Sequence, residues 1–201
     1  MTAGGLGRID FGSHRFHPVV HLPPDYEVLD LSGSAAAERL SDSPFTIGRY
    51  DEDRGIYTSP LFAGGRSIHV GIDIGAPPGT AVYAPAAGFL YAQGDNAGPG
   101  DYGPTLITQH RISGIDLWIL YGHLRRDSLE LRPKAAPVAA GDLLGWIGGS
   151  SENGGWPPHL HFQLSYRRPD GYDLPGVVPP EGRQDALRDF PDPRGVLGPL
   201  Y

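Results

Sequence analysis

Glycine and proline punctuate this chain too densely for long helices. Of its 201 residues, 30 are glycine and 21 are proline, about one position in four. Inside a helix each proline costs about 3 kcal/mol and each glycine about 1 kcal/mol relative to alanine, so an all-helical fold is excluded. The same density approaches that of disordered chains. Aromatic residues nevertheless make up 10% of the chain, and disordered segments are poor in them. With 39% hydrophobic residues, the length supports one good core and not two. Short strands joined by tight turns remain.

From about residue 65 to residue 166 that architecture is legible. Strands are predicted over 68–74, 80–83, 88–93, 105–111, 115–123, 143–147 and 159–166. Ser113-Gly114 between two of them is a hairpin signal, because a primed turn needs positive φ, which glycine adopts readily. The expected fold is mainly β, an antiparallel β-sheet domain with a groove and few short helices. Residues 1–64 read as an N-terminal arm packed on the core. It has little regular structure before about residue 30, then one short helix over 31–40 with Ser34 as its N-cap. Residues 65–166 form the core. Residues 167–201 read as a wrapping tail with seven prolines between Pro169 and Pro199 and one helical turn near 185–190.

Sixteen basic residues stand against twenty-three acidic ones, a net charge of −7. That leaves no electrostatic footprint for nucleic acid or for an anionic membrane surface. No run approaches the 18 apolar residues of a spanning helix, so membrane insertion is not expected. The opening Met1 to Arg8 has no apolar stretch, so the chain as written reads as cytoplasmic, with the cell envelope as the alternative if a leader has been trimmed. There is no cysteine, so any metal site must be built from histidine and carboxylate.

In His159-Leu160-His161-Phe162-Gln163-Leu164, strict alternation puts His159, His161 and Gln163 on one face and the apolar residues on the other. The apolar face seeks the core and the histidine face looks into a cleft. Cα atoms two residues apart in a strand are about 6.6–7 Å apart, so both imidazoles can converge on one small site. His69-Val70-Gly71-Ile72-Asp73 adds an imidazole and a carboxylate four residues apart. In a straight strand these lie about 13 Å apart, too far for one metal with bonds of about 2.0–2.2 Å. The chain must bend there, and Gly71 is the residue best able to allow it. His123, at the end of the strand predicted over 115–123, is the fifth candidate. Two histidines and one aspartate supply three ligands and leave a fourth position for water, the pattern of a catalytic zinc site, although other divalent ions share this donor set. The remaining histidines then serve proton transfer.

His69-x3-Asp73, Tyr121-Gly122-His123-Leu124 and Pro158-His159-Leu160-His161-Phe162, in this order and spacing, resemble the lysostaphin/LytM-type zinc endopeptidases that cut peptidoglycan cross-bridges. The stretches from Gly79 to Gly88 and from Val138 to Gly145 share the likeness, which runs from about Arg66 to Tyr166. The resemblance implies one zinc per chain, held by His69, Asp73 and His161. It also implies a peptide or peptidoglycan-fragment substrate and a catalytic pair, His123 and His159. His159 would be the general base, and His123 would stabilise the oxyanion or protonate the leaving amine, roles the two could exchange. Two features depart from the family pattern. Gln163 stands where the family commonly has glutamate, and the approach to the final histidines runs Glu152-Asn153-Gly154-Gly155-Trp156-Pro157-Pro158. That approach resembles the peptidase-like domains joined to aminotransferase and kinase-like domains. Two alternatives follow: an intracellular hydrolase of a small amide or peptide metabolite, and a non-catalytic metal-containing module that binds peptide or peptidoglycan fragments.

Other candidates carry less. His14, His17 and His21 have ligand-like spacing but read as polar residues of a packed arm. His110 reads as a hydrogen-bonded structural histidine. Tyr102 and Trp156 lie in glycine-rich loops and read as residues closing a core edge, with substrate stacking as the alternative. Residues 95–102 lack the lysine and helix of a phosphate loop, and Ser150-Ser151 lacks a nucleophile elbow. Oligomeric state is not encoded in any motif.

Overall fold

The computed structural model describes residues 8–33, 43–57 and 60–201. The first strands in chain order are β1 (Glu27–Val28), β2 (Thr46–Gly48), β3 (Glu52–Asp53), β4 (Ile68–His69) and β5 (Ile72–Gly75). There follow β6 (Ala81–Tyr83), β7 (Gly88–Asn96), β8 (Gly103–Ile112) and β9 (Ile115–Gly122). The last are β10 (Pro137–Val138), β11 (Leu143–Trp146), β12 (His159–Ser165) and β13 (Val177–Val178), ahead of the short helices α1 (Arg183–Asp189) and α2 (Arg194–Leu197).

One sheet dominates, with strand order β1-β2-β5-β12-β9-β8-β7-β10. Its pairings are antiparallel except for the parallel edge pair β1–β2. The mainly β, antiparallel reading of the sequence therefore holds. The hairpin between β8 and β9 turns at Ser113 and Gly114, both at positive φ (50° and 81°), as a primed two-residue turn requires. Smaller sheets pair β11 with β6, and β13 and β3 with β4.

The centre of the large sheet is buried on both faces. Leu117, Ile119 and Tyr121 of β9 join Leu160, Phe162 and Leu164 of β12 in one apolar cluster. Trp118 and Leu120 point the other way, into a second cluster closed by Val178, Ala186 and Phe190 from the C-terminal segment. The alternation read in β12 is thus real, and the histidines of that face line a cavity that is covered over part of its length. His161 is 3% exposed and Gln163 0%, because the segment around Leu174–Val178 crosses over them.

Three other differences bear on the site. The strand predicted over 68–74 is two strands, broken at Val70 and Gly71. The stretch read as an arm contributes β2, which pairs with β5, and β3, which pairs with β4. From Ser34 onward the predicted short helix lies outside the described residues, while Ser32 and Gly33 bridge to Arg54. The helical turn expected near 185–190 is α1. Among the described residues, no helix is long and apolar enough to cross a membrane.

Candidate metal centre

The break between β4 and β5 brings His69 and Asp73 together. Nε2 of His69 lies 3.2 Å from Oδ1 of Asp73, where a straight strand would hold the two Cα atoms about 13 Å apart. The glycine at the bend has a second function. A Cβ on Gly71 would lie 2.5 Å from Cε1 and 2.6 Å from Nε2 of His161, so only a bare backbone lets that ring into place. β12 runs antiparallel to β5 with His161 opposite Asp73. Nδ1 of His161 is thereby 3.0 Å from Oδ1 of Asp73 and 3.1 Å from Nε2 of His69.

The outer partners of these rings decide where their protons sit. Nδ1 of His69 donates to the Arg49 carbonyl at 2.8 Å. Nε2 of His161 donates to Oε1 of Gln163 at 3.0 Å, and Nε2 of Gln163 donates to the Pro175 carbonyl at 3.3 Å, which sets the amide's orientation. Each imidazole spends its proton outward and turns a lone pair inward. With the protons so assigned, two imidazole nitrogens and a carboxylate oxygen 3.0–3.2 Å apart present three lone pairs to one point, a donor set that a cation stabilises. Their separations approach the edge of about 3.3 Å in a tetrahedron with bonds of about 2.0–2.1 Å. Among the described residues, His69, Asp73 and His161 form the one group fit to hold a metal ion.

Nothing in the sequence singles out Arg54, yet it anchors this group. Its Nη1 donates to Oδ2 of Asp73 at 2.6 Å and to the Tyr57 hydroxyl at 3.0 Å. Its Nε donates to Glu52 at 2.9 Å and its Nη2 to the Arg49 carbonyl at 3.1 Å. Burial alone pushes the Asp73 carboxyl up, but His69 and Arg54 outweigh it and hold Asp73 well below the usual carboxylate range. Burial, reinforced by the Arg54 charge, lowers His69 to about 4. Both groups are therefore in their metal-binding protonation states at neutral pH.

His123 and His159 stand beside the triangle. His123 follows β9 at a φ of 62°, a left-handed conformation that histidine tolerates better than most residues. This turn carries its side chain off the Tyr121 face and toward His161, 6.5 Å away between ring centroids. Its Nδ1 donates to the Asn153 carbonyl at 2.8 Å, and its ring lies 4.2 Å from that of His159. Nδ1 of His159 donates to the Pro157 carbonyl at 2.7 Å, which leaves Nε2 unprotonated and 3.8 Å from Oδ1 of Asp73. Burial lowers the pKa of both imidazoles, and the adjacent His159 pushes His123 down further. Tyr102 packs against both His123 and His161, 5.5 Å from the first ring and 5.1 Å from the second.

The remaining candidates lie elsewhere. His14 contacts Ser113, while His17 and His21 pack on Tyr83. His110 is buried, donating to the Ala87 carbonyl at 3.0 Å beside Thr108. Asn153 is a further residue that sequence reasoning misses. Its side chain holds both the N–H and the carbonyl of Trp156 while its own carbonyl holds His123.

A family profile described as peptidase family M23 matches residues 67–172, more than half of the chain, including all five histidine and aspartate positions. The chain belongs to peptidase family M23. This M23 chain is similar to the DD-carboxypeptidase/endopeptidase Mpg of Neisseria meningitidis serogroup B (strain MC58), with 31% identity over 136 residues, 67% of this chain and 29% of that protein. The corresponding protein of Neisseria gonorrhoeae is 33% identical over 96 residues, 48% of this chain and 20% of its own length. The chain therefore spans less than a third of these relatives. Among solved structures, the catalytic domain of the prophage-encoded M23 protein EnpA from Enterococcus faecalis is 26% identical, with a TM-score of 0.47, over 71% of this chain and 93% of that one. The catalytic domain of lysostaphin from Staphylococcus simulans is 22% identical, with a TM-score of 0.46, over 68% and 90%.

Proposed function

We propose that this M23 chain is a zinc-dependent peptidase that hydrolyses a peptide or amide bond in a peptide or peptidoglycan fragment. The observation that carries this reading is the inward-facing triangle of His69 Nε2, Asp73 Oδ1 and His161 Nδ1. His69, Asp73 and His161 would hold the zinc, which when bound supplies Lewis-acid polarisation of the scissile carbonyl. His159, its Nδ1 proton engaged by Pro157, takes the proton of the attacking water at Nε2. Its lowered pKa keeps that nitrogen free at neutral pH and makes the gained proton easy to pass on. His123, whose ring lies 4.2 Å from that of His159 and whose Nδ1–H is held by the Asn153 carbonyl, takes up at Nε2 the proton that His159 gained from the water, and from Nε2 it then stabilises the oxyanion or protonates the leaving amine. The meningococcal relative's name, DD-carboxypeptidase/endopeptidase, supports a peptide substrate.

The test is the zinc content of purified protein before and after chelation, paired with hydrolysis of muropeptides, oligoglycine and small amides. Expected are about one zinc per chain and cleavage that chelation abolishes. His161→Ala should lose the zinc. His159→Ala should keep it while turnover falls by about 10²–10⁴-fold. No metal after zinc reconstitution, or a fully active His159→Ala, overturns the proposal.

A further inference from the structure

The cavity that holds the five polar residues is mostly not polar. It has a volume of about 390 Å³, at the low end of the range for small-molecule sites, about 300–1,000 Å³. Beyond the metal centre its wall is made by Tyr57, Phe62 and Trp156, with Leu29, Leu31 and Ile56, while Arg66, Asp101 and Asp173 supply charge at other points of the lining and the Arg66 guanidinium lies 5.7 Å from the Phe62 ring. The three rings pack on one another. Tyr57 and Phe62 are 4.5 Å apart between centroids, and Trp156 stands edge-on to both at 6.3 and 6.4 Å. Rings this close form a continuous wall rather than an open cage.

The polar ends of the two amphipathic rings are already engaged. The Tyr57 hydroxyl accepts from Arg54 at 3.0 Å, and the Trp156 indole N–H donates to the Gly100 carbonyl at 3.0 Å. What faces the cavity is ring surface. An apolar or aromatic group seated against the three ring faces gains by burial, whereas a polar group there has to reach past the rings to Arg66, Asp101 or Asp173 for a partner. The wall also sits beside the chemistry: Arg54 joins Tyr57 to Asp73, and Trp156 is three residues from His159. Tyr57 and Phe62 lie before the stretch that matches the family profile, 67–172.

We propose that Tyr57, Phe62 and Trp156 form a subsite for a bulky apolar or aromatic side chain flanking the scissile bond. The substrate is then a peptide or amide carrying such a group rather than an oligoglycine. The word scissile rests on the peptidase reading above; the binding preference does not.

The experiment uses N-acetylated, C-amidated pentaglycine and three versions of it with one phenylalanine at the second, third or fourth position. Binding to the metal-free chain is followed by calorimetry, and kcat/KM is measured for the zinc-loaded chain. Expected is at least one phenylalanine peptide bound and cleaved more than about tenfold better than pentaglycine. Phe62→Ala should shrink that ratio to below about threefold, and Phe62→Leu, which keeps an apolar wall, should retain most of it. Equal binding of all four peptides by the wild type overturns the subsite, even if the zinc enzyme cleaves them. A binding preference with no cleavage of these peptides, nor of the muropeptides and small amides above, supports the subsite and removes the peptidase reading instead.

Discussion

Nη1 of Arg54 donates to Oδ2 of Asp73 at 2.6 Å, and the other carboxylate oxygen of Asp73 faces His69 and His161. One carboxylate is thus divided between a buried cation and the metal-ligand triangle. The Arg49 carbonyl binds the pieces further, accepting from both Arg54 and His69. The guanidinium orients Asp73 and His69 together.

Arg54→Met should therefore cost about 3–5 kcal/mol of stability, because it strands Glu52 and Asp73 as partly buried carboxylates. Arg54→Lys should cost less, since it keeps the charge but cannot span all four acceptors. Urea unfolding of the metal-free chain measures both. A loss below about 1 kcal/mol for the methionine variant, the range of ordinary substitutions, would show that the pair does not hold the site.

Gly71→Ala tests whether the bend exists to admit a ring. The added Cβ would meet the His161 ring at 2.5 Å and the Phe162 carbonyl at 3.0 Å, and neither can retreat easily. Overpacking of this kind costs about 1–3 kcal/mol. Zinc affinity, read by competition with a fluorescent chelator, should fall by more than about tenfold as His161 is displaced. Unchanged affinity would mean that the ring has another place to go.

Gln163 fixes the tautomer of His161 from behind. Gln163→Leu removes that acceptor and should weaken zinc binding by about 10–100-fold. Gln163→Glu keeps an acceptor and makes its hydrogen bond charge-assisted, so zinc affinity should be retained or raised. The lost bond to the Pro175 carbonyl should cost that variant about 1 kcal/mol of stability. Equal zinc affinities in the leucine variant and the wild type would remove Gln163 from the metal site.

The buried histidines predict an acid-sensitive metal-free chain. Burial holds His69 at about 4 and lowers His110, His123 and His159 below the ordinary value of 6.5. The unfolded chain takes up these protons first, so the stability the neutral rings contribute is full above about pH 6.5 and is lost as pH falls toward 4. The melting temperature of metal-free protein should drop across that window. His110→Gln, outside the metal centre, should show a shallower drop than the wild type; an identical slope would assign the acid sensitivity to the other histidines alone.

The apolar alternation of β12, the Ser113-Gly114 turn and the closely spaced glycines and prolines were readable because each is a local rule of backbone geometry. His69, Asp73, His123, His159 and His161 were named as candidates because a resemblance gathers residues that spacing alone keeps apart, and the fold places them around one cavity. His69 and Asp73 needed a bend that the sequence could only require, with Gly71 as its place. Arg54 and Tyr57 carried no such signal, because an arginine next to a run of acidic residues looks the same whether solvent or a neighbouring strand covers it. β2 and β3 were missed for a related reason: two- and three-residue strands have no period to read.

Residue types and their order determined that this chain would be a β domain with histidine and carboxylate as its only metal-ligand chemistry. Tertiary packing decided the rest: that the histidine face of β12 is roofed by the segment around Pro175, that Arg54 holds Asp73, and that Tyr57, Phe62 and Trp156 share a wall. Burial and long-range pairing are properties of the assembled sheet. A desolvated charge or an engaged hydroxyl exists only once a strand distant in sequence has covered it.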